Sequence, residues 1–146
     1  MSTNNIRYKI LLIIFVLALI CSLIISFVPL PLICTPLEGC NAVQTSVYAK
    51  TLGIDNSYYG IIIFSLMVYV SILHLKKPTK HTKIVIHIGM FIGTLIVIYF
   101  LYLQQFVIHT YCKYCLVIDV GVIIGFIVLN IPEKGRIIKN NSLYRK

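Results

Sequence analysis

The sequence predicts an all-α integral membrane protein, a bundle of four transmembrane helices with an outer loop and a short surface helix. Three observations predict it. Hydrophobic residues make up 59% of the 146-residue chain and charged residues only 12%, too few charges to cover a soluble core of that composition. Four apolar runs each approach the roughly 20 residues that a spanning helix needs. The basic residues fall between and after these runs rather than along one face, a membrane pattern and not a nucleic-acid one.

The spans are expected at about 9–30, 58–75, 84–108 and 113–131. The first is too long for the apolar core of a signal peptide, and Ile20 stands where LALIC would need a small residue for a lipoprotein box, so it is read as a retained helix. No polar stretch is long enough for a separate soluble domain, so 1–146 is expected to form one domain.

Charge orients the bundle. Arg7 and Lys9 precede span one, Lys76, Lys77, Lys80 and Lys83 fill the loop between spans two and three, and Lys134, Arg136, Lys139, Arg145 and Lys146 follow span four. Only Lys50 and Lys113 fall on the other side. The excess of Lys and Arg on the cytoplasmic face predicts that both termini and the basic loop lie inside, with the segments 31–57 and 109–112 outside.

Four of the five cysteines then face the oxidising side. Cys34 and Cys40 flank a loop containing Pro36 and Gly39, and Cys112 and Cys115 open span four as C-x-x-C. Thiols at a helix N-terminus feel its partial positive charge, which favours the thiolate and exchange chemistry. Three chemistries fit the spacing: a redox relay, two structural disulfides bracing loops, and a four-cysteine zinc site. Redox exchange is favoured, because one pair enters a lipid-facing helix and the bilayer supplies quinones that accept electron pairs from thiols. Cys21, mid-span, is expected to be a small buried hydrophobe.

The segment CNAVQTSVYAKTLGIDNSYYG (40–60), with the C-x5-C loop before it and the C-x-x-C at 112–115, resembles the vitamin K epoxide reductase family. Bacterial and archaeal members of that family are membrane disulfide-forming enzymes. The resemblance implies a quinone acceptor (ubiquinone, menaquinone or vitamin K-type). With no fused thioredoxin-like domain expected in these 146 residues, it also implies a separate thioredoxin-like partner on the outer face. By position, Cys34 would exchange with the partner, Cys40 would relay to Cys112, and Cys115 would face the quinone. Ser46, six residues after Cys40, would support the binding site. Asn56 matches an asparagine that hydrogen-bonds a quinone carbonyl in the vertebrate branch, and it also suits a cap at the start of helix two. Asp119 stands where the vertebrate enzymes have a quinone-contacting tyrosine, a departure that counts against vitamin K epoxide as substrate. A carboxyl at membrane depth is costly and functionally suspect. Protonated, it can donate to a quinone oxygen; otherwise it pairs with a polar group on a neighbouring helix, His87 being one distant candidate.

The remaining signals are lesser ones. His109 can favour the Cys112 thiolate or simply be solvated, and His74 and His81 have no expected redox role. Gly60, Gly89 and Gly93 would permit close helix approach. Residues 41–52 suit a short amphipathic helix that caps the bundle and shields a quinone.

Overall fold

The computed structural model describes residues 3–34 and 39–131. Pro36 and the basic residues Lys134, Arg136, Lys139, Arg145 and Lys146 lie outside the described residues. Among the described residues, four helices are long and apolar enough to cross a membrane: α1 (Thr3–Phe27), α4 (Asn56–Lys76), α5 (Lys80–Tyr102, continued by a π turn over Leu103–Val107) and α6 (Lys113–Asn130). Between α1 and α4 lie two short helices, α2 (Leu30–Ile33) and α3 (Gly39–Thr45), a 3-10 turn (Val47–Ala49), and an antiparallel hairpin of β1 (Lys50–Thr51) and β2 (Ile54–Asp55).

The first span starts and ends earlier than its hydrophobicity suggests. Helix α1 stops at Phe27 rather than Leu30, because Pro29 disfavours helical backbone in the residue before it. Its buried residues, Tyr8, Leu11, Phe15, Ala18 and Ser22, recur every three to four positions and form one inward stripe. Ile13, Leu17 and Ile20 on the other side are exposed apolar residues, as a lipid-facing helix requires. Helix α1 packs against α4 and α6, and α5 packs against α4 and α6, which closes a ring of four. Small residues bring the helices close where lipid supplies no hydrophobic drive for packing. A Cβ on Gly60 would come within 2.8 Å of the Ser22 hydroxyl, and one on Gly89 within 2.8 Å of Met67. Gly93 is not a tight contact, its nearest neighbour being 3.8 Å away on Val122.

The two ends of the bundle differ. At the basic-loop end, Thr79 and Thr82 cap α5 reciprocally: each hydroxyl accepts from the other's backbone N–H, at 3.2 and 3.3 Å. The His74 ring packs against Tyr8 at a tilt of 47°, with centroids 4.1 Å apart, and its Nδ1 lies 2.7 Å from the Thr82 hydroxyl. This polar contact ties α1, α4 and α5 together at that end. The cysteine pairs sit at the opposite end.

The surface segment is not one amphipathic helix over 41–52. Helix α3 starts earlier, at Gly39, and stops at Thr45, and a turn and hairpin follow. Leu52 and Gly53 at the hairpin tip both have positive φ, 55° and 82°, which no helix accommodates. Asn56 locks the hairpin: its Oδ1 accepts from Thr51 Oγ1 at 2.7 Å and its Nδ2 donates to the Tyr48 carbonyl at 2.8 Å. Asn56 is therefore the first helical residue and not the cap of α4, a position held by Asp55.

Candidate active site

Helix α3 is pressed onto the turn that precedes α6. A Cβ on Gly39 would lie 2.7 Å from the Tyr111 carbonyl oxygen, so only glycine allows this approach. The approach brings Cys40 against Cys112. Cys34 and Cys40 form a disulfide with Cα atoms 5.6 Å apart, while Cys112 and Cys115 are free thiols. The Cys112 sulfur lies 3.8 Å from that of Cys40. All three of Cys34, Cys40 and Cys112 are buried, with Val43, Tyr114 and Cys115 packed around them. Two of the four sulfurs that a zinc site would need are joined to each other.

Cys112 is the N-cap of α6, its sulfur accepting the backbone N–H of Cys115 at 3.3 Å. This is the role an Asn, Asp or Ser oxygen usually fills. Gln44, one turn after Cys40 on α3, aims its Nε2 at both thiols, 3.4 Å from Cys115 and 3.8 Å from Cys112. The Cys112 thiol is held below the ordinary thiol range, first by the hydrogen bond with the Cys115 side chain and then by the Cys115 backbone N–H and Gln44, against the opposing effect of burial. His109 is exposed and adopts φ 55° in the turn before α6.

Asp119 lies one turn beyond Cys115, 4% exposed. Its partner is not His87, which bonds the Lys83 carbonyl at 2.8 Å. The partner is Gln104, 2% exposed, in the π turn that ends the third span. Gln104 Nε2 donates to Asp119 Oδ2 at 3.2 Å, and Gln104 Oε1 accepts the backbone N–H of Cys112 at 3.0 Å. The Ser46 hydroxyl donates to the Val43 carbonyl at 2.8 Å and so steadies the end of α3. A cavity of about 180 Å³ opens beside the disulfide, lined by Gly39, Cys40, Tyr111 and Lys113.

Sequence reasoning missed Gln44 and Gln104. Gln44 was findable, since it sits four residues after Cys40 and so shares a helical face with it. Gln104 was hidden at the end of an apolar run, where a polar residue ordinarily marks the membrane boundary. A single π turn often accompanies a functional side chain, but no sequence signal marked this one.

The Gln44 contact has a measurable consequence. A hydrogen bond to a charged group contributes about 1.5 kcal/mol, equivalent to about one pH unit. Alkylation of Cys112 by a small reagent, read by peptide mass, therefore sets in at a lower pH than for an ordinary thiol. In Gln44→Leu the onset moves up by about one unit, because the thiolate loses a donor. An unchanged onset would show that Gln44 does not stabilise the thiolate.

Four membrane-spanning helices that hold a disulfide against a free dithiol define the class of a membrane thiol oxidoreductase. The sequence model of the vitamin K epoxide reductase family matches residues 9–130, most of the chain, taking in most of the first span, the other three spans and both cysteine pairs. The chain belongs to the vitamin K epoxide reductase family. Searches of curated proteins and of solved structures returned no match. Membership makes this a multi-pass membrane oxidoreductase of a family associated with quinones and thiol partners.

Proposed function

We propose that this protein is a quinone-dependent thiol oxidoreductase that reoxidises a thioredoxin-like partner and so drives disulfide formation in exported proteins. The observation that carries the reading is the 3.8 Å approach of the Cys112 thiol to the Cys40 sulfur of a closed disulfide. Thiol–disulfide exchange needs an attacking sulfur in contact with the sulfur attacked, and this pair is in contact.

The cycle balances as follows. The partner dithiol reduces Cys34–Cys40, with Cys34 as the sulfur attacked, and leaves as a disulfide. The Cys40 thiolate attacks Cys112 in an oxidised Cys112–Cys115 bond and frees Cys115. Cys34 then attacks the Cys40 sulfur, re-forms Cys34–Cys40 and releases Cys112. The observed state, with one disulfide and one dithiol, corresponds to the end of this transfer. Closing Cys112–Cys115 again releases two electrons and two protons, which convert a quinone to its quinol. Cys34 is only 2% exposed, so docking of the partner has to uncover it.

The residues suit a quinone beside Cys115. That thiol is half-buried near the outer end of α6, with the Gln44 amide on one side and Asp119 a turn below, so a ring there would meet a sulfur and hydrogen-bonding groups together. Asn56 and Ser46 serve the same site through the loop they hold. The cavity beside Cys40, at about 180 Å³, is smaller than the roughly 300–1,000 Å³ of small-molecule sites. Lys76, Lys77, Lys80 and Lys83 join the spans at the end opposite the cysteines, which supports cytoplasmic termini and extracytoplasmic cysteines.

The test is turnover by purified protein supplied with a reduced thioredoxin-like donor and, separately, a soluble menaquinone, a soluble ubiquinone and vitamin K epoxide. Quinol should form in step with donor disulfide, with no turnover of the epoxide. Epoxide reduction would make it an epoxide reductase proper. Cysteine variants that lower thermal stability in a protein that consumes no quinone would leave only structural disulfides.

A further inference from the structure

Gln104 is fully committed at both ends of its amide. The Cys112 backbone N–H can only donate, so the Gln104 atom 3.0 Å from it must be the carbonyl oxygen. That contact removes the usual ambiguity between amide oxygen and nitrogen. The Nε2 is then obliged to face Asp119 Oδ2, at 3.2 Å, and to donate. With Gln104 and Asp119 2% and 4% exposed, water does not compete for these bonds. An Oδ2 that accepts from Gln104 leaves Oδ1 as the oxygen on which a protonated Asp119 would hold its proton. The π turn contributes directly: Ile108 N–H bonds Leu103 carbonyl at 2.9 Å, and the widened turn presents Gln104 inward while Gln105 stays exposed.

We propose that Gln104 is a positioning residue that links the Cys112 backbone to Asp119 and so holds the Asp119 carboxyl in register with the reacting thiols as a proton donor to the quinone. This rests on the quinone reading above. When Cys112–Cys115 closes, two thiol protons and two electrons leave the sulfurs. One proton reaches a quinone oxygen through Asp119 Oδ1, which is refilled from Cys115, and the other travels independently. Electrons and protons balance with the quinone as the only acceptor. Because the same amide holds the N-cap residue of α6, the reacting sulfur and the proton donor keep a common register through the cycle.

A double-mutant cycle tests the link. Quinone reduction with a dithiol donor is measured for wild type, Gln104→Leu, Asp119→Asn and the double variant. Gln104→Leu should lower kcat by about tenfold to a hundredfold, at or below the low end of what a lost general acid costs because the acid itself remains, with KM for the donor unchanged. In the Asp119→Asn background the same substitution should change kcat by less than about twofold. Gln104→Glu, which keeps an acceptor for the Cys112 N–H, guards against simple misfolding and should also lower kcat. A second readout needs no turnover. The carboxylic C=O infrared band lost in Asp119→Asn should shift in Gln104→Leu in protein without quinone. Effects that multiply independently, an Asp119→Asn protein with full activity, a band that does not move, or no carboxylic band at all would each overturn the proposal. A wild-type protein that reduces no quinone would sink the parent reading, while the infrared arm would still decide the Gln104–Asp119 bond.

Discussion

Purified Cys115→Ala protein should reduce quinone only at the background rate, a loss of at least about a thousandfold, the scale on which one member of a catalytic unit acts. The reason is stoichiometric. Quinone reduction takes two electrons from the Cys112/Cys115 pair, and a lone Cys112 cannot supply them by closing onto a neighbour in its own helix. Cys112 still lies 3.8 Å from Cys40, so the variant should exchange into a Cys40–Cys112 disulfide that leaves Cys34 free to alkylate. The donor should still open Cys34–Cys40. The assay is quinol formation by absorbance together with mass mapping of the free thiols. Activity in Cys115→Ala within tenfold of wild type would remove Cys115 from the electron path.

Cys34→Ser should lose turnover with a thioredoxin-like donor by at least about a hundredfold for a different reason. Cys40 can still attack an oxidised Cys112–Cys115 bond across the observed contact, but no thiol then resolves the product from the Cys40 side. The Cys40–Cys112 species should accumulate with Cys115 reduced, visible as a cross-linked peptide and as altered mobility without reductant. Normal turnover, or a Cys40 that stays free, would contradict the order of exchange proposed here. The two variants separate the two ends of the path: one stops electrons leaving, the other stops them entering.

How much of this was legible beforehand differs between elements. The four spans were readable because apolar run length is a local property and lipid demands it of each helix separately. The end of α1 at Phe27 was also local, through Pro29, although the apolar run alone overran it. The surface segment was misread because Val43, Val47 and Leu52 look helical by spacing, while Leu52 and Gly53 take positive φ to form a hairpin that Asn56 holds from outside the segment. The cysteine pairs were visible as pairs. Their contact was not, because it spans 72 residues and depends on a glycine that lets one backbone approach another.

The sequence by itself determined a membrane-spanning all-α bundle, the grouping of its basic residues, and two cysteine pairs suited to electron exchange, since hydropathy, charge and short spacings act within one segment. Only the tertiary structure decided which sulfur meets which, that Gln44 serves both thiols, and that Asp119 pairs with Gln104 rather than His87. Those choices depend on helix rotation and on a π turn, where one extra residue in a turn changes which side chain faces the interior, and that is settled by packing among helices distant in the chain.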